Sequence, residues 1–122
     1  MTNNQINNNN KKYDLEERTA KFGEEIIIFT RDMPINTVTV PIITQLVKCG
    51  TSVGANYCEA DNAESRKDFK HKIGICKKES RECVHFLRMV AVAVPHMEIR
   101  TIKLRQEAKE LNLIFNSIYV KL

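Results

Sequence analysis

The sequence has no tryptophan, and only 7% of its 122 residues are aromatic. It holds just four glycines and three prolines. An all-β sandwich or barrel needs a turn about every 8–12 residues, and so few turn formers exclude it. No run approaches the ~18 apolar residues of a membrane span. The polar N-terminus is not followed by the apolar stretch of a secretory signal. The expectation is a cytoplasmic protein with no membrane partner.

Catalytic patterns are missing as well. There is no Cys-x-x-Cys, no His-Glu-x-x-His and no Gly-rich phosphate loop. Glu82 and His85 make a single Glu-x-x-His spacing, whereas a carboxylate metal site inside a bundle uses that motif twice. Cys83 and His85, two apart on a helix, diverge and cannot act as a pair. No catalytic residue, metal ligand or cofactor is expected, and the chain does not read as an enzyme.

What is present favours helices. Some 43% of the residues are hydrophobic and 28% charged, enough for one domain with its own core. Lys and Arg number 19 against 15 acids, a formal charge of +4. That excess suits an anionic partner without demanding one. The cysteines are Cys49, Cys58, Cys76 and Cys83. Three of them face apolar stripes, and they read as reduced core thiols.

Six of the first ten residues are Asn. Residues 1–12 have almost nothing to bury and read as a disordered tail ahead of a domain over 13–122. A first helix is expected from about Asp14 to Arg31, with Leu15, Phe22, Ile26, Phe29 and Met33 on one stripe and Pro34 just beyond it. A second runs from about Pro41 to Asn62, with Thr39 placed to cap it. Its Gly50 and Gly54 share a face, as either a close approach to another backbone or a loose spot. The third spans Ser65–Val94, opening on Ser65 with Asp68 three residues later. The fourth covers about Glu98–Tyr119. There Leu104, Ala108, Leu111, Phe115 and Ile118 repeat at steps of four and three, with Ile102, Leu113 and Val120 widening the face. The fold class is all-α, an antiparallel up-down-up-down four-helix bundle.

The third helix divides into three faces. Phe69, Ile73, Cys76, Ser80, Cys83 and Leu87 form a core stripe. Lys70, Lys77, Arg81 and Arg88 align on a basic flank, with Lys78 beside them and Arg66 and Lys67 in the first turn. Such a strip can track phosphates, and it can equally be a solvated face. No aromatic interleaves it in the sequence, so no single-strand stacking platform is indicated. On the third face Ile75, Glu79, Glu82 and Phe86 recur at steps of four, three and four. They read as a subunit seam or as packing against a neighbouring helix.

Further segments bring a family into view. Ser52, Asn56 and Glu59 make a Ser-x-x-x-Asn-x-x-Glu end to the second helix. Ser65, Arg66, Lys67, Asp68 and Phe69 open the third, and Lys78, Glu79 and Glu82 continue it. Together these resemble the bacterial four-helix-bundle family that includes proteins encoded by intervening sequences in 23S ribosomal RNA genes. Cys83 stands where that pattern often has Thr, and His85-Phe86 where it often has Tyr-Trp. The resemblance implies a homopentamer. It also implies kinship in fold with accessory variability proteins of diversity-generating retroelements, which bind nucleic acid and a reverse transcriptase. From the residues themselves, Asn56 and Glu59 read as a structural corner, Glu59 pairing with Arg66 or Lys67 across the turn. The functional expectation is a non-enzymatic oligomer that binds RNA or DNA through the basic flank. A protein–protein scaffold with a solvated basic face is the alternative.

Overall fold

The structure, a computed structural model, describes the backbone of residues 3–122 and the side chains of residues 15–122. Four helices are present: α1 (Asn3–Arg31), α2 (Thr39–Asp61), α3 (Arg66–Ala93) and α4 (Glu98–Val120). A single 3₁₀ turn, Pro95–Met97, links α3 to α4. Among the described residues there is no strand. The disorder expected over 1–12 falls on residues whose side chains lie outside those described. The helix does not begin at Asp14, since its backbone is already helical from Asn3 and neither Gly nor Pro interrupts the chain between them.

Two of the helix starts rest on side chains. Ser65 has extended backbone and its hydroxyl accepts from the Asp68 N–H at 3.0 Å, the cap its sequence predicts. The start of α2 differs from expectation. Asn36, not Thr39, captures the free N–H groups, its Oδ1 accepting from Val38 N and Thr39 N at 2.9 Å each. Thr39 is fully buried, and its hydroxyl donates to the Pro34 carbonyl at 2.6 Å. The Asx turn wins because Asn36 sits one turn earlier, where its short amide reaches both donors.

One core runs the length of the bundle. Leu15, Phe22, Ile26, Phe29 and Met33 from α1 and the segment just after it meet Leu46, Cys49, Val53 and Tyr57 of α2. The expected α3 stripe is buried at Ile73, Cys76, Ser80, Cys83 and Leu87, and α4 buries Leu104, Ala108, Leu111 and Phe115. Tyr57 and Phe115 meet across the middle, ring centroids 6.1 Å apart. Ile102, Leu113 and Val120 do not widen the α4 face inward. They are 55%, 67% and 69% exposed, because only one stripe of a helix at the edge of a four-helix layer can face the core.

Cross-helix contacts run in opposite chain directions. Cys49 meets Cys83, whereas the carbonyl of Val53, further along α2, accepts from Cys76. Gly50 and Gly54 supply close approach. A Cβ at Gly50 would sit 2.9 Å from Ile26 Cγ2, and one at Gly54 3.3 Å from the Thr19 backbone. The absent Cβ atoms let α1 and α2 touch nearly backbone to backbone.

The α1–α4 edge is held differently. Arg18 donates through Nε and Nη2 to both oxygens of Glu107, at 2.8 and 2.7 Å, and Nη2 reaches Glu110 at 3.2 Å. Hydrogen bonding to Glu107 raises the Arg18 pKa further, so the charge is permanent. Toward the opposite end Arg100 bonds Asp32 at 2.8 Å and lies over the Phe29 ring. Polar clamps of this exposure each contribute up to about 1 kcal/mol, so they set the register of α1 on α4 more than they stabilise it.

Three cysteines, Cys49, Cys76 and Cys83, are buried, and Cys58 is exposed; all four are free thiols. Burial pushes the Cys76 thiol up to about 12. The hydrogen bond to Cys49, with burial added, holds Cys83 well above the ordinary thiol range. Protonated, enclosed thiols are weak nucleophiles, so Cys76 and Cys83 act as core residues, and Cys49 is buried beside them.

Candidate nucleic-acid interface

The basic flank of α3 faces α4. Arg66, Lys67, Lys78, Arg81 and Arg88 are exposed, and Lys70 and Lys77 are half-buried. The two half-buried lysines lie against one ring. Lys70 Nζ is 4.8 Å and Lys77 Nζ 5.0 Å from the centroid of Tyr119, in the last turn of α4. An aromatic therefore does interleave the strip, contrary to the sequence reading. It comes from a helix about 45 residues further along the chain, beyond the reach of any local pattern.

Helix α4 supplies two more residues that the sequence reading missed. Asn112 donates to the Lys77 carbonyl at 2.7 Å and to Ser80 Oγ at 3.3 Å, tying α4 to the middle of α3. Lys109 stands one turn earlier. With Arg81, His85 and Arg88 it rims a groove of about 490 Å³ whose apolar surface is Val84 and Leu113. A polar Asn at an otherwise core-flanking position and an exposed Lys four residues before Leu113 were the only signals available for these two.

The cations of this face form no ion pair among the described residues. Among the described residues the ion pairs are those of Arg18 with Glu107 and Glu110, Lys72 with Glu59, and Arg100 with Asp32. None uses a residue of the α3–α4 groove. Glu107 and Glu110, the nearest acids on α4 in sequence, are turned to Arg18 on the other side of that helix. A row of cations outside any described ion pair is what a polyanion meets when it displaces its own counterions. The α1–α2 groove is larger, about 710 Å³, but Glu16, Glu17 and Glu24 rim it over a floor of Ala20, Gly23, Gly54 and Ala55. Its sign repels phosphate.

The seam residues Ile75, Glu79, Glu82 and Phe86 lie on the α2 side of α3 and all are half-buried. Phe86 packs against the core and meets the edge of His85 at 5.2 Å. Glu79 sits in a costly place. Desolvation chiefly, then the neighbouring Glu82, raises its pKa, and Lys78 and Lys48 only partly oppose this. A carboxylate whose pKa rises on folding favours the folded state while protonated, and the advantage is lost as pH climbs through the raised value. Ionised Glu79 thus costs stability at neutral pH. Glu79→Gln should raise the melting temperature at pH 7, and the gain should vanish below the usual carboxylate range. A loss at pH 7 in a pH-series melt would contradict this.

At the α2–α3 corner, Asn56 Nδ2 donates to the Ser52 carbonyl within α2 at 2.9 Å. Glu59 pairs with Lys72 at 3.6 Å, not with Arg66 or Lys67. Those two occupy the exposed first turn of α3, while Lys72 lies on the side of α3 that returns along α2. Among the described residues no cluster of His, Cys, Asp or Glu could hold a metal ion, and no helix is long and apolar enough to cross a membrane.

Fold and surface define an all-α four-helix-bundle protein with an open basic groove between its last two helices. The chain belongs to the 23S rRNA-intervening sequence protein family, which matches residues 11–117. Its fold is similar to the crystal structure of a protein of unknown function from the S23 ribosomal protein family of Bacteroides thetaiotaomicron. The TM-score is 0.77 at 24% identity, over 86% of this chain and 97% of that one. At that identity the likeness bears on the fold alone. No curated protein matches the chain.

Proposed function

We propose that this protein is a non-enzymatic homo-oligomer, pentameric as the family resemblance implies, that binds RNA or DNA in the cytoplasm through the basic flank of α3. The observation that carries the reading is the groove rimmed by Arg81, Arg88 and Lys109, whose cations have no carboxylate partner among the described residues. Repetition around an oligomer would turn several weak phosphate contacts into useful affinity. The Ile75–Glu79–Glu82–Phe86 face is the proposed seam between subunits, and light scattering at micromolar concentration checks it: a monomeric mass removes it.

Binding should depend steeply on salt. The logarithm of affinity falls by about 0.9 per neutralised phosphate for each decade of salt. Removing three cations in Lys70→Ala/Lys77→Ala/Arg81→Ala should therefore weaken binding on the order of 100-fold at low salt and reduce the slope by about 2–3. Fluorescence anisotropy over a salt series measures both. Equal affinity and slope in the variant and the wild type would reject nucleic-acid binding by this face.

A protein–protein scaffold is the second reading. Ile35, Val92 and Ile99, at 74%, 77% and 81% exposed, favour it. They lie near the end where α1 and α3 finish and α2 and α4 begin. It predicts a partner whose capture nuclease treatment leaves unchanged.

A further inference from the structure

We propose that Tyr119 is a base-stacking platform, so that the α3–α4 face takes single-stranded nucleic acid in preference to duplex. This rests on the reading of that face as a nucleic-acid interface and names the form of the ligand.

The hollow beside Tyr119 measures about 320 Å³ and is lined by Gly74, Lys77, Lys78, Arg81 and the ring itself. Three of the five are cations and none is an acid. Its size falls at the lower end of small-ligand sites, about 300–1,000 Å³. Gly74 makes the room. It lies between Lys70 and Lys77 on α3, and a Cβ there would stand 3.2 Å from Tyr119 Cε2. The ring edge therefore rests against bare backbone.

Tyr119 combines two things that a single-strand site needs. One is a partly exposed aromatic surface on which any unpaired base can stack whatever its identity. The other is a set of cations at the spacing of a sugar–phosphate chain. Lys70 and Lys77 hold their ammonium groups within 4.8 and 5.0 Å of the ring centroid, so a base on the ring brings its phosphates within reach of both. An ammonium over a ring is generally the weaker partner than a stacked base, and the flexible lysine stem lets a base displace it. In a duplex the bases are already stacked on each other and offer the ring nothing. A face that read charge alone would bind duplex at least as well, because duplex carries the denser phosphates.

The test uses the full chain and end-labelled 12-nucleotide RNA at fixed salt, as a single strand, as the matching duplex and as an abasic strand. Wild type should prefer the single strand to the duplex. Tyr119→Leu should weaken single-strand binding by about tenfold, leave duplex and abasic binding within about twofold, and keep the helical circular-dichroism spectrum. Tyr119→Phe should retain full affinity. The sequence has no tryptophan, so Tyr119→Trp places a unique reporter at the site. Its fluorescence should be quenched by the single strand and not by the duplex.

The outcomes separate the two claims. If Lys70→Ala/Lys77→Ala/Arg81→Ala loses binding but Tyr119→Leu does not, stacking is wrong and the basic interface survives. An equal loss on duplex and single strand, or no quenching at saturating single strand, overturns stacking in the same way. If the wild type binds none of the three probes, both claims fall.

Discussion

Replacing Phe115 with alanine should destabilise the bundle by about 3–5 kcal/mol, the range for deleting a fully buried aromatic. Phe115 is completely buried, and it meets Tyr57 across the centre of the molecule with ring centroids 6.1 Å apart. The backbones of α2 and α4 have no direct contact. Side chains alone bridge them, and no main-chain movement can bring the two helices together without displacing α1 or α3. The cavity should therefore stay largely open, placing the loss toward the upper end of that range. Urea denaturation should give a lower midpoint with little change in slope, and the melting temperature should fall by roughly 10–20 °C. A loss under about 1 kcal/mol would mean that the centre collapses around the gap, against the rigid packing described.

Gly50→Leu should be almost as damaging, by about 3 kcal/mol, although leucine is the better helix former. The propensity gain at an interior glycine is about 1 kcal/mol. Against it stands the first side-chain carbon, which would lie 2.9, 3.0 and 3.1 Å from three atoms of Ile26, including its Cβ. Ile26 is fully buried and cannot swing away. Overpacking of this kind costs about 1–3 kcal/mol or more, and it worsens with each added carbon. Helices α1 and α2 must then separate along the Gly23–Gly50 contact. Gly74→Ala is the internal control. Its new Cβ would meet only the edge of the half-buried Tyr119 ring at 3.2 Å. A ring at the end of a helix can shift by a few tenths of an ångström, so the propensity gain should leave this variant neutral or slightly stabilised. Equal effects at the two glycines in denaturation curves would show that propensity, not contact, governs them.

Much of the fold was legible because it depends on periodicity. The stripe Phe22, Ile26, Phe29 of α1 is buried as its spacing requires, as are Ile73, Cys76, Cys83 and Leu87 of α3. The Ser65 cap was legible because donor and acceptor lie three residues apart. The α2 start was misread because two good capping residues, Asn36 and Thr39, compete within one turn, and only their geometry chooses between them. The Glu59 partner was misread for a related reason. Sequence proximity favoured Arg66 and Lys67, but a helix returning along its neighbour presents its second turn, where Lys72 lies.

The candidate site divides along the same line. Its cations on α3 are spaced along one helix, so their alignment follows from about 100° per residue. Tyr119, Lys109 and Asn112 come from α4. Each is an unremarkable residue on the flank of its own helix until the two helices are laid side by side. The role of Gly50 and Gly54 was likewise open in the sequence, since a missing Cβ reads the same whether it loosens a helix or admits a neighbour. Ile26 and Thr19 decide it.

The sequence by itself determined the helices, their buried stripes with three of the four cysteines, and a basic flank on α3, because each follows from interactions within one or two turns of chain. The tertiary structure alone decided what stands opposite each flank: a tyrosine between two lysines, a basic groove on the α4 side, and an acidic one between α1 and α2. The physical reason is that charge and packing act through space, and residues far apart in the chain become neighbours only when the helices dock.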